Sequence, residues 1–523
     1  MTGVLCSGCG TLNGTGTKFC IECGTAMSAA PAPSIAATPA SSPVRGQPGV
    51  SPTAALDFAR DLPIGSRART ALTFVAVFAF AFLVYYFASQ IMNGHKPINW
   101  LNFYVHLAKA MTEGTFDLRK VGLTGGEHPD LFVHEDGVFL PYGPTPALLL
   151  IPSVLIFGVN DTTQWLHSMI VGAINVALLW YILRLLRMSL TTQLLIVPFF
   201  AFGTANFYSA TTGTIWFYNH VVAVMFILLA IIFLLRGSWP FLSAACLGLA
   251  MLARQPAVLA VPFFVYIMVR QQHPKVIDWP RVVEGLRFSP ALPFLFVNRF
   301  VRFGLLEAPW LQDRGSREKV LLFGVSLAPF VFLLFFYNWV RFGDIFETGL
   351  DDLYDKYQGQ VLTLYLRDVD INDRFAIWDL RNIPLHLYTM FLLPPTFAPP
   401  PFADPATWHN ATWIRPSEYG MSVFLTSSPF IYAGFVRRHQ VLRNASWMVI
   451  PLVAIPTLLY FSQGWVQFGY RYLMDYLPFI MILTALGFEE NQSRSSFWLK
   501  VVLVVASVAI GFWGRYWGTR LGW

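Results

Sequence analysis

From about residue 70 onwards, long apolar stretches alternate with short polar segments along most of this chain. A helix needs about 20 predominantly apolar residues to cross a bilayer, so each stretch is a candidate membrane span. Several stretches are short or interrupted by proline, and these must tilt or re-enter the same face. The pattern predicts an all-α polytopic membrane protein with about 11–13 transmembrane helices. The candidate spans lie near residues 70–92, 144–159, 165–186, 190–208, 215–236, 239–253, 255–270, 319–340, 384–398, 420–436, 446–461, 472–488 and 497–514.

Three segments interrupt the apolar pattern of the predicted membrane domain, residues 67–523: an outside loop at 93–143 and polar loops at 271–318 and 342–383. Arginines just before the first span favour a cytosolic N-terminus, which places 93–143 outside. Strict alternation of all the candidate spans then puts 271–318 outside as well. That segment is basic, and the positive-inside rule places it inside. One short span is therefore miscounted, and the sequence does not say which.

Composition supports a membrane protein that does not bind nucleic acid. Of 523 residues, 55% are hydrophobic and only 12% are charged, whereas soluble domains carry about 25% charged residues. The net charge of +7 is spread along the loops, so it indicates membrane orientation rather than a nucleic-acid-binding arm. The first apolar run begins only after about 70 residues, so no cleavable signal peptide is expected.

The first 27 residues have the cysteine pattern of a zinc ribbon, and an Ala/Pro/Ser-rich linker at 28–66, predicted to be disordered, follows them. Two C-x-x-C pairs supply the four thiolates that tetrahedral Zn²⁺ prefers, with a disulfide pair or unligated thiols as the alternative. The head then either docks a cytosolic partner or only stabilises the N-terminus. The fifth cysteine, Cys246, lies in an apolar run and is expected to be packing. The four predicted zinc ligands are Cys6, Cys9, Cys20 and Cys23.

The outside loop carries motifs that point to a known class. A Tyr-x3-Ala-x2-Met pattern with helical spacing predicts an amphipathic interfacial helix, and a Tyr-Gly-Pro sequence leads into the second span. The pattern residues are Tyr104, Ala108, Met111 and Gly114; Tyr142, Gly143 and Pro144; and the Gly248–Pro256 segment. The chain resembles the GT-C glycosyltransferase superfamily over roughly residues 70–490, in particular its protein-mannosyltransferase and aminoarabinose-transferase branch.

The resemblance implies transfer of a sugar from a polyprenyl-phosphate donor to an acceptor, here unknown, on the outer face. Such an inverting transfer needs a carboxylate base. The family places an Asp four residues before the motif tyrosine, but this chain has Trp100 there. Asp130 is the preferred replacement, because it lies between the interfacial helix and the second span. Asp117 is the next candidate, followed by Glu135 or Asp136; all are ordinary solvated loop acids otherwise.

A phosphate donor also needs cations. Arg471 is the preferred candidate, and Arg254 lies at a span mouth. Asp475 follows Arg471 at i, i+4, so the two side chains can instead satisfy each other. The motif tyrosines Tyr104 and Tyr142 complete the predicted substrate site. The Asp- and aromatic-rich loop at 342–383 suits either a divalent cation or no ligand at all.

Two other classes remain open from sequence alone. A lipid or polysaccharide transporter or flippase would show internal repeats, and none is seen. A non-catalytic scaffold fits the missing carboxylate at Trp100. No Walker motif is present, which argues against an ATP-driven pump. The expected location is the plasma (inner) membrane.

Overall fold

The computed structural model describes residues 3–5, 12–14, 64–92, 101–125, 130–134, 137–236, 239–270, 309–349, 378–398, 413–464 and 466–522. The four ribbon cysteines, Trp100, Glu135, Asp136 and most of the predicted linker and the two polar loops lie outside these residues. Two short N-terminal strands are described, β1 (Gly3–Leu5) and β2 (Leu12–Gly14), and they pair antiparallel.

The rest of the described chain is mainly helical, as the hydrophobic pattern predicts. Its first half contains α1 (Ile64–Met92), α2 (Phe103–Thr112), β3 (Phe132–His134), β4 (Gly137–Phe139), α3 (Thr145–Asp161), α4 (Gln164–Leu185), α5 (Leu190–Phe202), α6 (Ala205–Thr212), α7 (Ile215–Leu235), α8 (Pro240–Ala253) and α9 (Val261–Arg270). Its second half contains α10 (Pro309–Gln312), α11 (Arg314–Phe342), α12 (Ile383–Phe391), β5 (Thr396–Ala398), β6 (Trp413–Arg415), α13 (Val423–Thr426), α14 (Gln440–Leu459), α15 (Leu477–Glu490) and α16 (Arg494–Arg520). Short 3₁₀ helices span Leu118–Val121, Gln255–Ala260, Leu380–Asn382, Ser428–Phe435 and Arg471–Asp475.

Six described helices are long and apolar enough to cross a membrane: α1, α4, α7, α11, α14 and α16. The bent pair α5 and α6 makes a seventh if it counts as one span. The described residues therefore form an all-α, multi-pass membrane protein, and the three two-stranded sheets are minor elements. The total of 11–13 crossings stays a prediction, because the remaining apolar segments are short or 3₁₀-helical.

Helix α7 is the centre of the bundle. Of its apolar window, 89% is buried, against 17% in α1 and in α11. A helix that is apolar all round is buried in a protein core or in lipid, and α7 is enclosed by neighbours that include α4 and α8. The peripheral helices expose large apolar side chains instead, such as Ile91 and Phe332, as expected for a surface that faces lipid.

Side-chain caps set where several spans begin. Ser189 precedes α5, and its side chain accepts a hydrogen bond from the amide of Thr192. Asp313 precedes α11, and its side chain accepts a hydrogen bond from the amide of Ser316. The carboxylate of Glu489 accepts hydrogen bonds from both hydroxyls, Ser189 and Thr192, at 2.8 and 2.6 Å. These contacts satisfy otherwise orphaned amides and tie the start of α5 to the end of α15.

Helix α3 does not cross the bundle, although its sequence reads as a span. At its start, a Cβ added to Gly143 would lie 2.0 Å from the carbonyl oxygen of Leu252, two residues before Arg254. Just after its end, Gln164, the first residue of α4, donates to the carbonyl of Gly213 at 2.8 Å. Both contacts lie towards the Asp475 end of the bundle. Arg254, which follows Leu252 by two residues, binds Asp475. His220, which follows Gly213 by about two helical turns, also binds Asp475. A crossing of 17 residues would separate the ends by about 25 Å in depth.

Without α3 as a span, the conflict over the basic loop disappears. Arg254 lies at the Asp475 end of the bundle, and the chain then runs away from it through α9. The ring of Phe264 in α9 stacks on Phe323 of α11, with centroids 5.7 Å apart. Tyr337 contacts Tyr142 at the Asp475 end of the bundle. Phe323 lies about 20 Å before Tyr337 along the same helix. The ends of the chain that flank residues 271–308 therefore lie at the opposite end of the bundle, where α1 begins.

Candidate active site

Asp475 is the centre of a buried ion pair. Arg254 donates to it through both Nε and Nη2, at 3.0 Å to Oδ1 and 2.7 Å to Oδ2. His220 Nδ1 lies 3.0 Å from the same Oδ1. Burial alone would raise the pKa of Asp475, but the charge of Arg254 and the hydrogen bonds from both partners hold it below its ordinary value. The carboxylate is therefore ionised and fully engaged by protein groups.

The expectation that Arg471 and Asp475 satisfy each other is wrong. The segment Arg471–Asp475 is a 3₁₀ helix, in which side chains four residues apart do not lie one above the other as in an α-helix. Asp475 binds Arg254 instead, and among the described residues no hydrogen bond or ion pair joins it to Arg471. The two arginines approach the same ring, that of Tyr472, at 5.7 Å for Arg254 and 5.3 Å for Arg471.

Arg471 is held by aromatic faces. Its guanidinium carbon lies 5.9 Å from the ring centre of Trp216 and 5.8 Å from that of Phe217, in addition to Tyr472. Its Nε is buried without a hydrogen-bond partner. Among the described residues, no carboxylate pairs with it. A cation that is positioned by π-faces and keeps free donors is suited to bind an anion.

Asp130 lies beside the motif tyrosine. It is 5% exposed, and Tyr142 Oη donates to its Oδ2 at 3.3 Å. Burial raises the pKa of Tyr142, and the charge of Asp130 raises it further, so Tyr142 stays a neutral donor. The backbone of Tyr142 is fixed in turn by Tyr337, whose Oη donates to its carbonyl at 3.2 Å.

One tyrosine that the sequence reasoning missed connects these groups. Burial raises the pKa of Tyr460; the charge of Asp130 adds to this, and those of Arg471 and Arg254 oppose it. Tyr460 therefore lies where the fields of the candidate base and both arginines overlap. It directly follows helix α14, a position with no sequence signal of its own. His220, on α7, is the second partner of Asp475.

Tyr104 lies on the same wall as the arginines. It is fully buried on α2, with its ring centre 5.9 Å from that of Tyr218 on α7. Burial raises its pKa strongly, and the charge of Arg254 opposes the rise. The structure thus brings together Asp130, Arg471, Arg254, Asp475, Tyr142 and Tyr104 from distant parts of the chain. Their substrate roles stay predictions.

Asp117 sits differently. Its Oδ1 accepts from the amides of Arg119 and Val138 at 3.0 and 2.9 Å, and its Oδ2 faces the Arg119 guanidinium at 3.3 Å. These are the contacts of a cap that ties the Leu118–Val121 turn to β4. They occupy the carboxylate and favour a structural role over that of a base.

The described residues do not fit a divalent cation. Within them, no group of three or more His, Cys, Asp or Glu side chains is placed to hold a metal ion. Asp475 already gives its oxygens to Arg254 and His220, so it offers no ligand. The cation at the active site and the zinc of residues 1–27 therefore stay predictions.

No protein-family profile and no curated protein matches this sequence. Among solved structures, it is similar to the archaeal oligosaccharyltransferase AglB from Archaeoglobus fulgidus in complex with an inhibitory peptide and a dolichol-phosphate, with 12% identity and a TM-score of 0.40 over 86% of this chain. A second structure of the Archaeoglobus fulgidus enzyme, tethered to an acceptor peptide, gives 13% and 0.39 over 86%. This chain spans 56% and 55% of those chains. At these TM-scores the likeness supports no argument about function, which rests on the residues above.

Proposed function

We propose that this chain is a membrane glycosyltransferase of the GT-C class. It moves a sugar from a polyprenyl-phosphate donor to an acceptor hydroxyl on the extracytoplasmic face. The observation that carries the proposal is a buried carboxylate, Asp130, that Tyr142 binds at 3.3 Å, close to an arginine with no carboxylate partner among the described residues, Arg471, whose charge acts on the same tyrosine. A general base beside an anion site is what transfer from a phosphate-linked sugar requires.

In the proposed reaction, Asp130 takes the proton of the acceptor hydroxyl as its oxygen bonds to the anomeric carbon. The bond from that carbon to the phosphate oxygen breaks, and its electron pair leaves with the lipid phosphate. The configuration at the anomeric carbon inverts. Arg471 stabilises the charge that develops on the departing phosphate, and Asp130 later returns its proton to water.

The other arginine has a different part. Arg254 is neutralised by Asp475, so it shapes the wall of the site more than it adds charge to it. Tyr142 orients the base through its hydrogen bond to Asp130. Each group thereby has a position before substrate arrives, which lowers the reorganisation needed in the transition state.

The proposed orientation follows from the positive-inside rule. With the N-terminus and the start of α1 in the cytosol, the Asp475 end of the bundle faces outside, where α1 ends. Arg270 and Arg314, which flank the basic segment 271–308, then lie on the cytosolic side. The protein is proposed to reside in the plasma membrane.

Residues 1–27 are proposed to bind one Zn²⁺ in the cytosol and to offer a surface to a protein partner. The antiparallel pairing of β1 with β2 supports this, because the segment that joins the two strands contains the first C-x-x-C pair. Zinc content of the purified chain, measured beside Cys20→Ser, tests it; one bound zinc that is lost in the variant is expected.

The test of the main proposal is donor turnover by the full chain in proteoliposomes. A panel of polyprenyl-phosphate sugars is supplied with lipid, saccharide and peptide acceptors, and release of free polyprenyl phosphate is measured. Asp130→Asn is expected to lower the rate by a factor of about 10²–10⁴. Asp117→Asn is the matched control and is expected to keep the rate, because its contacts are structural.

The reverse result, loss with Asp117→Asn alone, would move the base to Asp117. Donor binding without turnover for every combination would contradict the enzyme and favour a transporter or a scaffold.

A further inference from the structure

An exposed aromatic side chain stands directly beside the candidate site. Trp378 is 51% exposed, and its ring centre lies 5.3 Å from that of Tyr460. The two residues also form an antiparallel bridge, and the amide of Asp379 donates to the carbonyl of Leu459 at 2.9 Å. His386, which bonds the carbonyl of Tyr460 at 2.8 Å, has its ring centre 6.1 Å from that of Tyr472, the ring that both arginines approach. Trp378 is therefore the next ring outward from the arginine side of the site.

Trp378 is followed by a planar charged pair. Asp379 accepts from Arg381 Nε at 3.0 Å and from Nη2 at 2.8 Å, and the Arg381 side chain is 58% exposed. Hydrogen bonds from the Arg381 side chain and backbone lower the pKa of Asp379 to about 2, so the pair is charged at neutral pH. A flat ring can stack on the C–H face of a pyranose, and neighbouring planar donors and acceptors can bond its hydroxyls. This combination is suited to bind a pyranose.

The segment is anchored to the wall of the site. His386 bonds the carbonyl of Tyr460 through Nε2 at 2.8 Å and the hydroxyl of Tyr470 through Nδ1 at 2.9 Å. Asn382 donates to the carbonyl of Leu459 at 2.8 Å. The ring of Trp378 is therefore presented from a fixed backbone rather than from a free loop.

We infer that Trp378, with the Asp379–Arg381 pair, forms an acceptor subsite for a saccharide. This inference rests on the proposed function for the direction of transfer. It adds that the acceptor hydroxyl belongs to a sugar, which stacks on Trp378 and presents its hydroxyl past Tyr460 to Asp130. Exposed tryptophans also serve as membrane-interface anchors, and the experiment separates that role from this one.

The test is binding, measured without turnover. Saturation-transfer-difference NMR on the full chain in nanodiscs uses methyl glycosides and trisaccharides of hexoses and pentoses, beside a Ser/Thr peptide. Saccharide signals are expected in the wild type. Trp378→Ala should weaken binding about threefold to tenfold, while Trp378→Phe, which keeps a ring face, should retain most of it. Trp498→Ala is the matched control, because Trp498 is 58% exposed at the opposite end of the bundle.

Several outcomes would overturn the subsite. These are the absence of saccharide signals, signals that Trp378→Ala leaves unchanged, or a Trp378-dependent signal from the peptide alone. If Trp378→Ala unfolds, the choice rests on Trp378→Phe and on Arg381→Gln, which should weaken saccharide binding in a folded chain. Failure of the proposed function is distinct: Trp378-dependent saccharide binding would then persist while no donor is turned over.

Discussion

Arg254 and Asp475 form a bidentate ion pair across 221 positions of sequence. The pair joins the end of α8 to the 3₁₀ turn before α15, and His220 brings α7 to the same carboxylate. Three elements at the centre of the bundle thus meet at one buried charge. Loss of that charge should affect the fold as well as the site.

Asp475→Asn is expected to destabilise the protein by about 3–5 kcal/mol, because it leaves the Arg254 cation buried without its partner. Unfolding in detergent micelles measures this. The matched control is Glu318→Gln, which removes the partner of the exposed Arg314 at the start of α11 and should cost less than about 1 kcal/mol. Equal losses in the free energy of unfolding for the two substitutions would contradict the proposed role of Asp475 in stabilising the fold.

The same carboxylate predicts a pH dependence. Since the pKa of Asp475 is lower in the folded chain than in the unfolded one, its stabilisation is complete above the unfolded value of about 4 and is lost as the pH falls further. The gap in unfolding temperature between wild type and Asp475→Asn should be constant from pH 5 to 8 and narrow below pH 4. A gap that narrows on raising the pH instead would reverse the sign and refute the assignment.

Arg471→Gln should separate binding from stability. With no carboxylate partner among the described residues, Arg471 contributes little to the fold, so the unfolding temperature should change little. Binding of a polyprenyl phosphate should weaken about 10- to 100-fold, as expected for a lost charge-assisted hydrogen bond. Arg317→Gln, on the exposed start of α11, is the control for a general loss of positive charge. Unchanged lipid binding in Arg471→Gln would remove this residue from the proposed site.

Gly143→Ala tests the contact that brings the residues before α3 close to Arg254. The added methyl would lie 2.0 Å from the carbonyl oxygen of Leu252, and backbone must shift to admit it. We expect a loss of about 1–3 kcal/mol in stability, together with reduced turnover. Gly324→Ala in α11 is the control, because nothing lies within 4 Å of its added methyl; it should be neutral or slightly stabilising. A neutral Gly143→Ala would show that this approach is not needed.

The amino-acid sequence by itself determined that the protein is an all-α membrane protein, and it named most of the site candidates. Long apolar stretches have one stable solution in lipid, which is helical, so α1, α4, α7 and α11 could be read directly from composition. Asp130, Tyr142, Arg254 and Arg471 could be named because charged or motif residues beside apolar spans are few.

The tertiary structure decided how those residues pair and which stretch crosses. The i, i+4 spacing favoured Arg471 as the partner of Asp475. In the folded chain, Asp475 instead binds Arg254, which is 221 positions away in the sequence. Hydropathy cannot distinguish α3 from a span, because an interfacial helix and a crossing helix bury similar apolar faces. Only the contacts of the flanking residues, Gly143 with Leu252 and Gln164 with Gly213, fixed its depth. Tyr460 and Trp378 had no local signal, since their positions depend on which distant backbones meet.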